Sequence, residues 1–534
     1  MILFIMILIN AGLFADGTEP YGSGTEDDPY WISSLDNLLW FCTPRYLPNP
    51  VYLMQTANID ASESQNWNDG KGFITIGNYD YPFHVVYDGQ GNSISNLFIN
   101  RPEEQGIGLF GVVEDALIID LSLIGANVAG EYQVGGLVGH AMATSIMGVF
   151  CEDVNISGYE RVGGMVGYND ANTVNQYVIE LCNVTGNVEG TKKVGGLLGR
   201  SVQCSVYNCT TGMDEVIGGQ ETGGLIGDSY GTTISFCSSL GQVIGGQETG
   251  GLVGTANYST IINYCHSEGS VIGTGGVGGL VGVFGYDDNY LENCGSIAEV
   301  VGDGNVGGLV GSNGASINNC YSAGFVDCTS GTRGGLIGYL GGTSGPLSNL
   351  FWDMEESGWS WGIGSGQEEG VTGKTTVEMK DVATYTNLET EGLDFPWDFF
   401  GNPYDDTGSE NIWHIGGSQN NGYPYISDSI ITNISELTTL KEVVLLKNNY
   451  PNPFSSFTNI SFSVEQDSKV NIIIYNFQGQ RIKTLINKQY LKGEHNVIWD
   501  GTDDNNKTVV SGMYFYQLNV NNKTRAIKKC VLLL

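Results

Sequence analysis

Basic residues, proline and long apolar stretches are scarce in this sequence, and each shortage excludes a class of protein. The 534 residues include 22 Lys and Arg against 58 Asp and Glu, for a formal net charge of −36. Such a charge argues against nucleic acid and anionic membrane surfaces as partners. Beyond the first fifteen residues, no stretch is apolar enough to span a membrane. With 13 Pro and 79 Gly, the composition favours tight turns between short strands over disorder or collagen.

Common catalytic and metal-binding patterns are also missing. The five histidines stand apart from one another, and there is no HExxH, GxSxG, Walker loop or CxxC pair. We therefore expect no catalytic residue, no cofactor and no bound metal.

The first fifteen residues form an apolar run that ends at Ala15, just before Asp16. The run is too short to cross a bilayer and is typical of a secretory signal peptide, although no Lys or Arg occurs before Arg45. We expect residues 1–15 to be removed and the protein to be exported.

A five-residue phrase, Gly-Gly-Leu/Met-Val/Leu/Ile-Gly, recurs along the middle of the chain. Its copies start 28, 32, 28, 27, 28, 29 and 27 residues apart, at Gly135, Gly163, Gly195, Gly223, Gly250, Gly278, Gly307 and Gly334. A repeat of this size is one supersecondary unit that cannot bury its apolar face alone, so the copies must stack. Each glycine marks either a bend with positive φ or a place where no Cβ fits.

Cysteines form a second series at the same period. Seven of the eleven precede the next Gly-Gly by 12 to 14 residues: Cys151, Cys182, Cys209, Cys237, Cys265, Cys294 and Cys320. Apolar residues also recur three positions before and six positions after most of them, which indicates parallel strands stacked turn upon turn. The sequence thus predicts an all-β fold, a parallel β-helix of about ten turns, with a core ladder of reduced, buried cysteines.

The phrase and its period resemble the GLUG repeat of bacterial surface proteins. The resemblance extends to YDGQGNSISNLFI before the repeats and to NLFWDMEESG and IWHIGGSQNNGYPYI after them, and covers roughly residues 22–426. It implies an extracellular, adhesin-like protein. The zinc-peptidase activity of some GLUG-bearing proteins is not implied here, because HExxH is absent.

Composition changes sharply near residue 441. The charge is +5 from there to the end and −41 before it, which indicates a separate module. Six or seven short alternating strands in this tail predict a small β-sandwich, which we expect to be Ig-like. We therefore divide the chain into a signal peptide (1–15), N-terminal turns (16–115), the repeat β-helix (116–345), an aromatic-rich cap (346–430), a linker (431–446) and a C-terminal domain (447–534).

The C-terminal domain resembles the type A sorting domain of the type IX secretion system. The matching phrases are NYPNPF, WDG, SGMYFY and the ending KKCVLLL. Their characteristic residues are Asn449, Pro451, Pro453, Phe454, Trp499, Asp500, Gly501, Ser511, Gly512 and Tyr514. The resemblance implies the type IX secretion machinery as a partner, and an extracellular or outer-membrane surface location.

Two other functions remain open for the β-helix. A polysaccharide lyase or hydrolase would need carboxylates clustered in one groove. Acids do recur before the glycine phrases, but at offsets of two to six residues: Glu131, Glu160, Glu189, Glu221, Glu248 and Asp303. A non-catalytic glycan-binding module would instead expose aromatic side chains of residues 346–430. We expect a structural or adhesin-like protein with a surface glycan or a host or cell-surface molecule as its possible ligand.

Overall fold

The protein is an all-β parallel solenoid followed by an Ig-like β-domain. The computed structural model describes residues 17–43, 45–171, 177–285, 288–342, 344–400, 412–417, 419–426, 454, 456–464, 467–476, 481–504, 507–510, 512–520 and 523–532. The chain separates into two compact units, Met1–Ile431 and Thr432–Leu534. The predicted signal peptide and the linker 431–446 lie outside the described residues. No helix among the described residues is long and apolar enough to cross a membrane.

Each solenoid turn contributes one strand to a nine-stranded parallel sheet. These strands begin at the fourth residue of the glycine phrase or at its N-terminal equivalent, so Val138 pairs with Phe110 on one side and Val166 on the other. They are Phe110–Glu114, Val138–Met142, Val166–Asp170, Leu198–Val202, Ile226–Tyr230, Val253–Asn257, Val281–Phe284, Val310–Asn313 and Ile337–Leu340.

The rest of each turn lies in a second, 28-stranded assembly that bends around the core. Its strands are Tyr30–Ile32, Val51–Gln55, Ile59–Asp60, Val85–Ser95, Phe98–Asn100, Gln105–Ile107, Leu117–Ile124, Asn127–Ala129, Tyr132–Gly135, Ser145–Ser157, Glu160–Gly163, Val178–Glu180, Asn183–Glu189, Lys192–Gly195, Ser205–Tyr207, Thr210–Ile217, Gln220–Gly223, Thr233–Ser235, Ser238–Gly250, Ile261–Asn263, His266–Gly278, Tyr290–Glu292, Gly295–Ser296, Glu299–Gly307, Ser316–Ser322, Val326–Gly334, Leu347–Asp353 and Val371–Lys374. All its pairings are parallel apart from isolated bridges, as the period predicts.

Helices are few and short. The α-helices are Leu35–Trp40, Met354–Ser357, Thr376–Met379 and Ala383–Thr386, and the 3-10 segments are Ser62–Asn66, Asn68–Gly70 and Gln419–Gly422. Thr375 caps the third helix and forms a capping box with Glu378.

The glycine phrase forms the corner at which one strand ends and the next begins. A Cβ on the first glycine would lie 2.0 to 2.3 Å from the carbonyl oxygen three residues later, as at Gly250 and Gly135, and real Cβ atoms keep beyond 3.0 Å. None of these eight described glycines has φ in the left-handed range. Close backbone approach, rather than positive φ, therefore requires them. Leu137 and Val138 of the first phrase are both fully buried, so both belong to the core.

Six of the seven predicted core-ladder cysteines share one register. The residues that directly follow these cysteines pair from turn to turn: Asn183 with Thr210, Thr210 with Ser238, Ser238 with His266, and His266 with Gly295. The preceding residues Cys182, Cys209, Cys237, Cys265 and Cys294 therefore lie above one another, and Cys320 follows in the next turn. Cys151 is the exception, because it pairs with Leu123 and Val184. The reason is a different spacing: Ile146 lies five residues before Cys151, whereas Ile179 lies three before Cys182. All seven are buried free thiols.

A left-handed residue precedes each cysteine of this register. Its φ lies between 50° and 56° in every case: Leu181, Asn208, Phe236, Tyr264, Asn293 and Asn319, with Asn349 before Leu350 in the next turn. Asn is among the side chains that tolerate this conformation best. The last three asparagines are hydrogen bonded in series, with Nδ2···Oδ1 distances of 3.3 and 2.8 Å.

The aromatic residues after position 346 form two groups. In the first group, Trp352 belongs to the solenoid core, and the nearby Ile363 forms an isolated β-bridge with Ile337. Residues 352–363 therefore lie against the last turn. Residues 376–400 and 412–426, which we call the flank segment, form a separate small core. That core packs on Tyr321 and Phe351 and on partly buried side chains of three earlier turns: Phe236, Tyr264 and Ile297. The first group therefore packs on the last turn of the solenoid, whereas the flank segment also contacts three earlier turns.

The C-terminal unit is built from two antiparallel sheets. Thr458–Val464 pairs with Gly493–Trp499, and the other sheet contains Arg481–Tyr490, Ser468–Asn476, Gly512–Val520 and Lys523–Leu532 in that order. The described part of this unit contains six strands, where alternation predicts six or seven. Alternate residues such as Ile460, Phe462 and Val464 fill the core between the sheets.

Candidate functional site

Two of the six predicted acids, Glu221 and Glu248, lie with basic residues in one stacked array. Arg161, Lys193, Glu221 and Glu248 occupy equivalent left-handed positions two residues before the glycine phrase. Beside them, Tyr168, Arg200, Asp228 and Thr255 are paired in register within the nine-stranded sheet. We call these eight residues the charged seam.

Ion pairs between successive turns hold the charged seam together. Lys193 Nζ lies 3.2 Å from Glu221 Oε2 and 2.5 Å from Asp228 Oδ2. Asp228 also forms an ion pair with Arg200, whose Nε lies 3.1 Å from Oδ2. Lys193 and Asp228 are only 8% and 4% exposed, so these charges depend on each other rather than on water. Burial, together with the nearby Asp228, raises the pKa of Glu221 against the opposing effect of Lys193.

An aromatic stack continues the charged seam towards the N-terminus. The His140 ring stacks on Tyr168 with centroids 4.5 Å apart, and Tyr79 Oη lies 3.2 Å from His140 Nδ1. Burial, assisted by Arg161, lowers the pKa of His140 to about 4, although Asp170 opposes this. The imidazole is therefore neutral near pH 7.

The other predicted acids are dispersed. Glu131 and Glu160 are half-buried, and Glu160 lies 3.5 Å from Arg161, whereas Glu189 and Asp303 are exposed on other rungs. No charged-seam residue lines the cleft beside the flank segment or the cleft at the N-terminal turns. The raised pKa of Glu221 therefore has a structural explanation, which is its burial inside the stack.

A cleft of about 480 Å³ lies between the solenoid and the flank segment. Its solenoid side is formed by Glu268, Gly269, Ile297, Glu299, Ala323, Gly324 and Phe325, and its other side by Glu356, Lys380, Asn421 and Tyr423. We call it the flank cleft. It crosses three turns and contains three carboxylates, which is the arrangement that the sequence associates with a glycan-active protein.

The wall of the flank cleft is fixed by one buried carboxylate. Asp353 is fully buried and accepts hydrogen bonds from Tyr423 Oη at 2.8 Å and Thr376 Oγ1 at 3.0 Å. It also accepts the backbone N–H groups of Glu355 and Glu356 at the start of the helix Met354–Ser357. Lys380 Nζ lies 4.4 Å from the centroid of the Tyr423 ring. Asp353 therefore positions both Glu356 and the platform on which Lys380 rests.

The flank cleft is lined by groups that can form hydrogen bonds with a ligand. Burial and the hydrogen bond to Asp353 raise the pKa of Tyr423, so the phenol stays protonated at neutral pH. The carboxylates can accept hydrogen bonds, and Lys380 and Asn421 can donate them. Among the described residues, no group of three or more His, Cys, Asp or Glu is arranged to hold a metal ion.

A second cleft, of about 350 Å³, lies at the N-terminal turns. It is lined by residues that include Phe41, Arg45, Asp80, Tyr81 and His84. Arg45 is occupied, since it stacks over Trp40 and donates to the Trp40 carbonyl at 3.0 Å. Neither cleft could be predicted from the sequence, because each is lined by residues that are far apart in the chain.

The exit-region aromatics predicted to expose a sugar platform are mostly buried. Trp352, Trp397, Trp413 and Tyr423 are at most 4% exposed. Trp361, Phe395 and Phe400 remain exposed but do not line the flank cleft. The exposed aromatic residue that does line it, Phe325, belongs to the repeats.

Three of the six sorting-domain residues within the described chain, Phe454, Trp499 and Tyr514, lie in the C-terminal core. The Trp499 ring packs against Phe454 and Tyr514, with centroids 5.4 and 5.0 Å away. Asp500 accepts hydrogen bonds from Thr502 and Lys483, which lower its pKa, and Gly501 has φ of 68°. Gly512 opens the following strand. Asn449, Pro451, Pro453 and Ser511 lie outside the described residues.

Comparison with known proteins gives partial matches. The family model of the FlgD Ig-like domain matches residues 454–525. A stretch of 129 residues, 23% of this chain, is 38% identical to "Halomucin" of Haloquadratum walsbyi. Another of 126 residues, 22% of this chain, is 33% identical to "Putative Gly-rich membrane protein" of Evansella cellulosilytica. These matches span 1% and 14% of the respective relatives.

Two solved structures show a weak overall likeness. A structure titled as a putative immunoglobulin A1 protease from Bacteroides ovatus matches 76% of this chain and 94% of its own, with 16% identity and a TM-score of 0.32. The enzymatically active domain of tailspike protein 4 of bacteriophage CBA120 matches 90% of this chain and 63% of its own, with 9% identity and a TM-score of 0.22. Likenesses of this degree support no inference about activity.

Proposed function

We propose that the protein is an exported, adhesin-like surface scaffold whose solenoid presents binding surfaces and whose C-terminal domain directs its export. The observation that carries this proposal is the unbroken register of the rungs from Phe110 to Leu340. A stack in which each turn contacts only its neighbours gives a long, stiff and repetitive surface, as binding scaffolds require.

The relatives support a surface location. One similar protein is named as a membrane protein and the other as halomucin, and their resemblance falls on stretches of 126 and 129 residues. The GLUG-like phrases of this chain point the same way. Its charge of −36 would also keep such a protein soluble outside the cell.

The C-terminal unit supports export by the type IX secretion system. Phe454, Trp499 and Tyr514, which match the sorting-domain phrases, form one buried aromatic group. They lie in a small Ig-like domain, the architecture expected of such a tail. We infer that this domain is the part recognised by the secretion machinery.

Expression in a bacterium that has a type IX system tests this route. The full chain should reach the cell surface or the medium, whereas a chain ending at residue 446 should stay in the periplasm. Trp499→Ala should be retained as well, because it removes the centre of the domain core, and Phe457→Ala, at an exposed position of the same domain, is the matched control. Surface delivery of the truncated chain would refute the proposed route.

Glycan binding is the function that we place second, because the flank cleft combines carboxylates, an amine and an aromatic ring. Catalysis is tested by incubating the purified protein with polysaccharides and measuring new reducing ends and unsaturated products. We expect neither product, and turnover that Glu299→Gln abolishes would replace the scaffold proposal by an enzymatic one.

A further inference from the structure

We propose that the flank cleft binds an uncharged or amino-sugar oligosaccharide, with Phe325 as the ring on which a sugar stacks. This inference rests on the proposed surface function and specifies the ligand class through which the scaffold would act. Phe325 is an aromatic residue that lines the flank cleft and keeps 49% of its surface exposed.

Register places acceptors directly beside this ring. The Val300 N–H donates to the Phe325 carbonyl at 2.8 Å, so Glu299 and Phe325 lie on adjacent rungs. Ser270 pairs with Glu299 on the other side, and Glu268 lies two residues before Ser270. Parallel rungs are about 4.8 Å apart, so this floor extends about 10 Å along the stack. That length suits a disaccharide lying across the turns.

The wall supplies the complementary donors. Lys380 is held over Tyr423, and Asn421 follows from the same flank segment. Tyr423 in turn is fixed by its hydrogen bond to the buried Asp353. An aromatic face for the apolar side of a pyranose, with acceptors and donors around it, is the combination that binds sugars. Because Asp353 and the solenoid preorganise these groups, little ordering is needed on binding.

Charge selects the class of sugar. Three carboxylates face one amine in the lining, giving a net charge of −2 at neutral pH, within a chain that is itself strongly acidic. Uronate or sulfated polysaccharides would be repelled, whereas hydroxyl groups and sugar ammonium groups would find acceptors. The cleft therefore excludes acidic glycans by repulsion rather than by shape.

Calorimetric titration of the purified full chain tests the proposal with four probes: cellohexaose, chitosan hexamer, hexagalacturonate and hexalysine. We expect binding of one or both of the first two, no binding of hexagalacturonate, and at least tenfold weaker binding by Phe325→Ala. Phe395→Ala is the matched control, since Phe395 is 73% exposed on the flank segment but lies outside the lining. Glu299→Gln should also weaken binding, whereas Glu189→Gln, at an exposed position on another rung, should not.

The proposal is overturned if neither sugar binds, if hexagalacturonate binds as well as they do, or if Phe325→Ala behaves like Phe395→Ala. Binding of hexalysine that Phe325→Ala leaves unchanged would identify the cleft as a site for basic peptides instead. These outcomes are read on purified protein, so they are separate from the export assay. A chain that reaches the surface but binds no sugar would refute the ligand class and leave the scaffold proposal intact.

Discussion

Substituting Asp228 by Asn should destabilise the middle of the solenoid by about 3 kcal/mol, because two cations lose their common partner. Asp228 Oδ2 contacts both Lys193 Nζ and Arg200 Nε, and only 4% of Asp228 is exposed. Removing one member of a buried ion pair typically costs about 3–5 kcal/mol, since it leaves a charge without compensation. We expect the lower end of this range, because Lys193 keeps Glu221 at 3.2 Å.

Hydrogen exchange measured by mass spectrometry locates this loss. The strands Lys192–Gly195 and Ile226–Tyr230 should exchange about a hundredfold faster in Asp228→Asn, which corresponds to about 3 kcal/mol. Asp214→Asn is the matched control, since Asp214 is exposed on the neighbouring strand Thr210–Ile217. Adding Lys193→Met to Asp228→Asn should restore at least half of the protection, because it removes a buried ammonium that has lost one of its two carboxylate partners.

Two results of the same experiment would contradict this prediction. Equal exchange in Asp228→Asn and Asp214→Asn would show that the charged seam contributes nothing to local stability. A double variant no better than Asp228→Asn would show that the loss of one carboxylate partner of Lys193 is not the cause. Glu221 should not obscure the second result, because burial already raises its pKa and it can take up a proton when Lys193 is absent.

Three further predictions concern the stack itself. Gly195→Ala should lower the free energy of unfolding measured in urea by about 3 kcal/mol, because its Cβ would lie 2.1 Å from the Leu198 carbonyl oxygen. Gly342→Ala should leave the free energy of unfolding unchanged, because no atom lies within 4 Å of the added Cβ. Equal effects of the two substitutions would contradict the requirement for close backbone approach. Burial lowers the pKa of His140 to about 4 from an ordinary value of 6.5, so unfolding between these pH values takes up a proton. The free energy of unfolding should therefore fall by about 1.4 kcal/mol for each unit by which the pH is lowered from 6.5 to 4. His140→Asn should remove this part of the pH dependence, and an unchanged pH dependence in that variant would contradict the prediction. Iodoacetamide should leave Cys182, Cys209, Cys237, Cys265, Cys294 and Cys320 unmodified until the solenoid unfolds, because all six are buried; rapid labelling of the native protein would disprove the buried ladder.

The repetition in the sequence was sufficient to predict the fold class. A period near 28 residues with fixed apolar positions requires stacked parallel strands, and the alternation in the tail requires a small sandwich. The detailed register was less accessible. Cys151 stands at the expected distance from Gly163, yet its turn places it opposite Leu123 and Val184. Counting from the glycine alone cannot detect that two additional residues separate Ile146 from this cysteine.

The candidate sites were beyond sequence reasoning for a different reason. Glu221 and Asp228 were individually visible as acids, but their common partner Lys193 lies one turn earlier. The flank cleft brings Phe325 of the repeats to Lys380 and Tyr423 of the flank segment, and nothing in the linear pattern links them. The left-handed residues before the cysteines did carry a signal. The asparagines 208, 293, 319 and 349 recur at one register, and Asn is a residue that accepts positive φ.

The charged seam also addresses a problem inherent in near-identical repeats. One turn could stack on a non-neighbouring copy with little loss of apolar contact, since Val, Leu and Ile alternate freely in the phrase. The seam makes the turns unequal: the second position before the glycine phrase changes from Arg161 and Lys193 to Glu221 and Glu248. A slip of one turn would place Lys193 beside Glu248 and Arg200 opposite Thr255, so Asp228 would lose both of its cations. Buried charges would then be unpaired, so the seam penalises misordered stacks more than it stabilises the correct one.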